Sequence, residues 1–454
     1  MSRASLLHGP VAPQLVGLAA PILAVLALQT LVGIAETYFV SSLGTSAIAG
    51  VALVFPLFML MTMMSNGGIG GGVSSAVARS LGAGRRADAD ALAFHALVIG
   101  AAFGAAFSLA AWFGGRALFA TLGGKGDTLA NALLYSNFVF AAAIPAWVTG
   151  LLGAVLRGAG NVRVPAVVTV AGAGATIVLS PALIFGWGPL PTLGVAGAGV
   201  AMLIFNTSAA AALALYLRSA RAPVRLRLAR IQWRLLKDVL GVGLLSATGT
   251  LMVNFTVVMT TGLAGRFGGD AIAGYGLASR LDYALIPLLF ALGTACVTIV
   301  GMNVGAGQHE RAHRVAWTAA LLSVLATAAI GGVAALAPAA WIHLFSHEPA
   351  VVRDGSAYLV RVAPLYPFVG LGMALYFACQ GAGTMVVPFF AGVVRLAVIV
   401  LGGGLWVIHL HGSLTGLFWI VGGGQLLFGG IIALAMWLLR PGLAARPAAA
   451  AARA

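Results

Sequence analysis

Apolar stretches long enough to cross a lipid bilayer follow one another along nearly the whole chain. A membrane-spanning helix needs about 20 consecutive apolar residues, and segments of that length recur from residue 15 to residue 440. Hydrophobic residues make up 61% of the sequence and charged residues only 8%, whereas about a quarter of a soluble domain is charged. The chain is therefore predicted to be an all-α integral membrane protein.

The breaks between apolar stretches predict twelve transmembrane helices, beginning with 15–42, 46–80, 91–113 and 128–157. The longest basic segment, RSARAPVRLRLARIQWRLLK at 218–237, falls near the middle of the chain. It predicts an N-lobe of six helices at 1–217, a basic cytoplasmic linker at 218–237 and a C-lobe of six helices at 238–454.

Basic residues collect in the loops on one side of the predicted helices. With both termini inside, 18 of the 25 basic residues fall on the cytoplasmic side and 5 on the outer side. Loops rich in Lys and Arg stay in the cytoplasm, so both termini are predicted to be cytoplasmic. The net charge of +15 is therefore attributed to membrane topology, and no nucleic-acid partner is expected.

Three sequence landmarks occur twice at a nearly constant spacing. AIAG at 47–50 returns at 271–274, LGAGRRADADA at 81–91 is matched by VGAGQHERAHR at 304–314, and RGAGNVRVP at 157–165 by QGAGTMVVP at 380–388. Six helices per repeat is an even number, so both copies enter the membrane from the same side. The sequence predicts two parallel repeats, with a substrate cleft at their interface as in many transporters.

Only two of the ten acidic residues lie inside predicted helices: Glu36, in GIAETYFVSSLG, and Asp282, in ASRLDYALIPLLF. A charge at membrane depth costs at least about 2.5–3.5 kcal/mol, so it normally faces a cavity or a partner and marks a functional site. Glu36 can exchange a proton for a cationic substrate, or join an oxygen cage for Na⁺. The alternative is a protonated structural side chain bonded to a neighbouring helix.

Asp282 allows two interpretations. It is either a charge near the outer mouth of its helix, paired across to another helix, or a second site for a cation or a substrate charge. Arg280 lies two residues away, so the two side chains point to different faces of a helix and need not interact. Arg395, isolated in AGVVRLAVIV, needs an anionic or carbonyl partner. For Arg395, a salt bridge within the C-terminal half is expected in preference to a contact with substrate.

Methionine and aromatic residues suit flat hydrophobic cations. Met59, Met61, Met63 and Tyr283 are therefore candidates for the substrate cleft, although most such residues only pack or face lipid. The run NGGIGGG at 66–72 lacks the strand that a nucleotide-binding loop requires. It predicts close packing or bending of the second helix.

The motifs AETYFVSSLGTSAIAG, ARSLGAGRRADA, LRGAGNVRVP, PALIFG and GMNVGAGQHERA together resemble the multidrug and toxic compound extrusion (MATE) family of cation-coupled exporters. The resemblance implies two six-helix lobes in a V, alternately open inward and outward. It implies a monomeric antiporter of the bacterial inner membrane that expels amphiphilic organic cations in exchange for H⁺ or Na⁺. No cofactor beyond the coupling ion is implied.

The resemblance places Glu36 at the position of the family's acid in helix 1, which is usually Asp. Many relatives also carry Asn and Asp four residues apart in helix 5, where this chain has Thr176 and Ser180. Hydroxyl groups can ligate a cation but cannot titrate. The predicted ion-coupling set is therefore Glu36, Thr176 and Ser180, and the coupling ion is either H⁺ or Na⁺. The acids that some relatives hold in helices 7 and 10 have no counterpart here, and Asn254 and Gln380 are the nearest polar residues.

Two other classes are weighed against an exporter. A flippase for a lipid-linked or other amphipathic metabolite shares the two-lobe plan, but usually has about fourteen helices and a cationic cavity. An intramembrane enzyme is disfavoured because the sequence holds no paired Asp motif, His/Cys cluster or nucleophile elbow. No metal site is predicted.

Overall fold

The computed structural model describes residues 3–438, and in that part of the chain every regular element is helical. The predicted all-α membrane architecture is confirmed: eleven helices are long and apolar enough to cross a membrane, and a bent pair supplies a twelfth span. The spans are α1 (Val11–Ser41), α2 (Thr45–Gly82), α3 (Arg86–Thr121), α4 (Gly126–Ala141 and Ala143–Gly158), α5 (Arg163–Phe185), α6 (Val195–Arg218), α7 (Trp233–Phe267), α8 (Gly269–Gly305), α9 (His309–Leu336), α10 (Pro349–Ala382), α11 (Val386–His409) and α12 (Leu414–Leu438).

The chain forms two compact units, which do not follow the chain order strictly. Unit 1 comprises Ala20–Gly243, and unit 2 comprises the described parts of Ser2–Ala19 and Leu244–Ala454. The predicted lobe boundaries at 217 and 238 stay a prediction. Arg440, Arg446 and Arg453, which enter the charge count, lie outside the described residues.

The two units are built on the same internal plan. In unit 1, α4 packs on α2, α3 and α6, and α5 packs on α6. In unit 2, α10 packs on α8, α9 and α12, and α11 packs on α12. The corresponding helices α4 and α10 begin 223 residues apart, at Gly126 and Pro349. The sequence repeat is therefore also a repeat of helix packing.

Both α4 and α10 break at the matching place, a feature not predicted from the sequence. Helix α4 bends by 44° at Ala142, and α10 contains a 3₁₀ turn at Ala363–Leu365, again 223 residues on. Pro145 and Pro364 lie within three residues of these breaks. Proline removes a helical N–H donor and its ring clashes with the preceding turn, which accounts for both interruptions.

Four of the six GAG sequences, at 82–84, 158–160, 305–307 and 381–383, end helices in the same way. The last glycine of each has a left-handed φ between 75° and 83°, at Gly84, Gly160, Gly307 and Gly383. In the first of them, Gly84 N–H donates to Leu81 and Arg85 N–H donates to Ser80, and the other three repeat this pattern. This is the Schellman motif, in which glycine accepts the left-handed conformation without a Cβ penalty.

The run NGGIGGG serves packing, as predicted. It overlaps a π-helical segment at Met64–Ile69 within α2, and a Cβ added to Gly72 would lie 2.5 Å from the carbonyl oxygen of Val239 on α7. Small residues at such positions let two helix backbones approach closely.

The linker is fastened to unit 1 by polar contacts. Arg234 forms two hydrogen bonds to the Asp88 carboxylate at 2.9 and 3.2 Å, and the Arg225 N–H donates to Asp90 at 2.7 Å. The Gln232 N–H donates to Nε2 of buried His95 at 2.8 Å. The connector is therefore an ordered part of unit 1.

Candidate functional site: two membrane-embedded carboxylates

Glu36 lies in the last third of α1 and is half-buried. Neighbouring hydroxyls on α1 are satisfied by their own helix, as in the bond from Thr37 to the carbonyl of Gly33 at 2.8 Å. The ionised Glu36 carboxylate cannot donate to a carbonyl of its own helix, and within residues 3–438 it forms no hydrogen bond or ion pair. The phenol of Tyr135 on α4 lies within Coulombic range of it. A carboxylate left open in this way can take a proton or a cation.

The two helix 5 candidates lie one turn apart on α5 and are buried, with Thr176 6% and Ser180 0% exposed. The Thr176 hydroxyl donates to the carbonyl of Gly172 at 2.9 Å. The Ser180 hydroxyl is enclosed and has no hydrogen-bond partner in the described chain. No hydrogen bond joins either residue to Glu36, so the three-residue coupling set remains a prediction.

Asp282 on α8 receives two phenolic hydrogen bonds. Tyr358 donates to Oδ2 at 2.6 Å, and Tyr366 donates to Oδ1 in a short hydrogen bond. Both tyrosines lie on α10 and are only 1% exposed. Tyr275 packs edge-on to Tyr358, with ring centroids 5.3 Å apart. Asp282 is thus a satisfied carboxylate in the core of unit 2.

Arg280 does not join this cluster. Its side chain is exposed and lies over the ring of Phe345, 5.3 Å from the centroid. Asp282 and Arg280 therefore form separate features, consistent with their spacing on a helix. The tyrosine partners of Asp282 were missed from the sequence because they lie 76 and 84 residues further along the chain.

The repeat relates the tyrosines of the two units. Tyr135 and Tyr358 are 223 residues apart, the same spacing that separates the first residues of α4 and α10. Each is near one of the two acids predicted to lie inside membrane helices: Tyr135 is within Coulombic range of Glu36, and Tyr358 donates a hydrogen bond to Asp282. Aligning the halves at this offset would have been the sequence signal for both tyrosines.

Removing the Asp282 carboxylate is expected to destabilise unit 2. In Asp282→Leu, two buried hydroxyls lose their acceptor, at a cost of about 1–3 kcal/mol for each unsatisfied group. Asp282→Asn keeps one carbonyl oxygen and should lose less. Thermal unfolding of the purified protein should rank the wild type above Asn and Asn above Leu.

The control for this series is Asp270→Leu, which removes an exposed acid from the start of the same helix. That change should cost less than about 1 kcal/mol. An unfolding temperature for Asp282→Leu equal to that of the control would contradict the structural role of the cluster.

The candidate substrate residues occupy different environments. In unit 1, Met61 is 2% exposed, whereas Met59 and Met63 are half-buried. In unit 2, Tyr283 is 48% exposed and Gln380 is enclosed, donating to the Ser246 hydroxyl at 2.8 Å.

Asn254 lines an open, largely apolar cavity of about 460 Å³ within unit 2. Its other lining residues come from α7 and α11: Leu251, Met252, Phe255, Val258 and Leu396. A cavity of this size and composition is in the range that holds small amphiphilic ligands.

The described chain is thus a multi-span helical membrane protein of two repeated units, with Glu36 in a membrane helix of unit 1 and Asp282 in a membrane helix of unit 2. This combination defines a class, the membrane transporters with internal repeats. The MatE family model matches residues 21–182 and 246–405, one match in each half. The chain therefore belongs to the MATE family of membrane transporters.

Individual relatives agree with this assignment. The chain is 28% identical over 390 residues to a FAD transporter of Shewanella oneidensis, covering 83% of each protein. It is 25% identical over 379 residues to a probable multidrug resistance protein NorM of Thermotoga maritima, covering 83% of this chain and 81% of the relative. A crystal structure of MATE in the bent conformation matches with a TM-score of 0.90, at 25% identity and 98% coverage of both chains.

Proposed function

We propose that this protein is a secondary antiporter that exports amphiphilic organic cations in exchange for H⁺ or Na⁺. The observation that carries the proposal is Glu36, a carboxylate within a membrane helix that has no hydrogen-bond or ion-pair partner in the described chain. Such a group is costly unless it binds something during the working cycle. Glu36 is the proposed coupling carboxylate.

The coupling follows from competition for one negative charge. When Glu36 is ionised it attracts a cation, and when it is protonated that attraction is lost. Since a ligand shifts a conformational equilibrium only through its different affinities for the two states, alternate binding of H⁺ and substrate at Glu36 can drive transport. The buried hydroxyls of Thr176 and Ser180 would add oxygen ligands if the ion is Na⁺.

A second candidate is the export of an amphipathic metabolite rather than a drug. The name of the Shewanella oneidensis relative, a FAD transporter, favours this alternative, whereas that of the Thermotoga maritima relative favours drug export. Under either candidate we propose that the protein is a monomer of the bacterial inner membrane with cytoplasmic termini. The excess of basic residues in the predicted cytoplasmic loops supports this orientation.

Everted membrane vesicles test the proposal. We expect ethidium to accumulate in vesicles containing the protein when a gradient of H⁺ or of Na⁺ is imposed, and not in vesicles lacking the protein. The gradient that drives uptake identifies the coupling ion. If neither gradient moves ethidium but FAD accumulates, the second candidate replaces the first.

A further inference from the structure

We propose that Arg395 anchors a binding site in unit 2 for the anionic group of an amphipathic ligand, a carboxylate or a phosphate. The inference goes beyond cation export and does not depend on it. It rests on three observations: the buried guanidinium of Arg395 has no anionic partner among the described residues, its surroundings on α7, α10 and α12 are aromatic and apolar, and the corresponding position of unit 1 is a glycine.

Arg395 carries a charge inside a membrane span without an anionic partner. It is the tenth residue of α11, about 14 Å along the axis from the first, and is only 7% exposed. The salt bridge expected from the sequence is wrong: none of the ion pairs among the described residues includes Arg395. Its Nε is enclosed without a hydrogen-bond partner.

What the guanidinium does contact is aromatic. It lies over the ring of Phe428 on α12, 4.6 Å from the centroid, and the phenol of Tyr376 on α10 lies within Coulombic range. The Tyr376 hydroxyl donates to the Ser246 carbonyl at 3.3 Å. An aromatic face stabilises the cation but does not accept hydrogen bonds from its in-plane N–H donors. Those donors match the paired oxygens of a carboxylate or phosphate.

The repeat indicates that the fold does not need this cation. The residue 223 positions earlier is Gly172 on α5, and Phe428 corresponds in the same way to Phe205 on α6. In unit 1 the phenylalanine ring closes directly over the glycine, so that a Cβ there would lie 2.1 Å from it. The corresponding contact between two helices is therefore built without a charge in unit 1, and the arginine of unit 2 calls for a function.

An apolar cavity lies beside the same stretch of α11, where Leu396, the residue after Arg395, lines it. Gly392, one turn before Arg395, is close to Met252, with 3.5 Å between its Cβ position and the sulfur. Met252 lines the cavity of about 460 Å³ together with Phe255 and Leu396. An amphiphile could place its apolar body in this cavity and its anionic group at Arg395.

The test is equilibrium binding to the purified full-length protein in nanodiscs of zwitterionic lipid, with no ion gradient. The probes are 1-pyrenebutyrate, its neutral methyl ester and (1-pyrenebutyl)trimethylammonium, which share one apolar body. We expect Arg395→Met to bind pyrenebutyrate at least about tenfold more weakly than the wild type, with little change for the ester. Arg266→Met, which removes an exposed arginine of the same unit, is the matched control and should bind like the wild type.

Arg395→Lys keeps the charge without the planar donors and should retain part of the affinity, which also covers the case in which Arg395→Met does not fold. Adding anionic phosphatidylglycerol to the nanodiscs distinguishes the source of the anion. Competition with pyrenebutyrate in the wild type identifies a lipid headgroup, and its absence identifies a free solute. Equal affinity for pyrenebutyrate in the wild type and in folded Arg395→Met and Arg395→Lys would overturn the proposal, whatever the ethidium assay shows.

Discussion

Replacing Glu36 by Gln is expected to abolish gradient-driven export while leaving the protein folded. The substitution keeps the size of the side chain and its capacity for hydrogen bonding but removes the charge and the titratable proton. Because Glu36 has no partner in the described chain, no structural bond is broken. Uptake of ethidium into everted vesicles should fall to the level of vesicles lacking the protein.

The control is Asp127→Asn, which makes the same change in charge at an exposed position near the start of α4 in the same unit. It should transport at the wild-type rate. Ethidium binding by Glu36→Gln without a gradient separates lost coupling from lost affinity. Normal gradient-driven uptake by Glu36→Gln would show that Glu36 is structural, and would make Asp282 the next candidate.

A side chain at Gly158 is expected to prevent unit 1 from folding properly. Gly158 begins the second GAG sequence, and a Cβ there would lie 2.4 Å from the carbonyl oxygen of Ser74 on α2. Gly381, at the same place in the repeat, has the same relation to the carbonyl oxygen of Val297, at 2.7 Å. In both cases the obstacle is backbone, which cannot rotate away. Gly158→Val and Gly381→Val should each cost about 3 kcal/mol or more by overpacking.

The measurement is the recovery and unfolding temperature of the purified variants. Gly174→Val is the matched control, because Gly174 also lies within a helix of unit 1 and a Cβ there meets nothing within 4 Å. Since glycine is a poor helix former, the control should be neutral or slightly stabilising. Unfolding temperatures for all three variants close to that of the wild type would show that the predicted clash is relieved by small shifts.

The membrane class, the helices and the repeat could all be predicted from the sequence. Each of these depends on local or periodic information. The length of an apolar run decides whether it can span the membrane, and a repeated motif, such as RGAGNVRVP and QGAGTMVVP, can be recognised directly in the sequence. Glu36 could be identified as a candidate site residue for the same reason, since a single charge within an apolar segment is evident from the sequence alone. Helix α3 was predicted at 91–113 but extends over Arg86–Thr121, because charged residues at a helix end do not terminate the helix.

The partners of the selected residues depended on the tertiary structure alone. Asp282 and Arg395 are both charges within apolar helices, although Asp282 has Arg280 two residues away. Folding brings two tyrosines of α10 to Asp282, whereas Arg395 lies over the ring of Phe428 and near the phenol of Tyr376. The sequence by itself determined which segments enter the membrane, because burying apolar surface depends on local composition. Only the packing of helices distant in the chain decided which of these charges have a hydrogen-bond or ionic partner among the described residues and which have none.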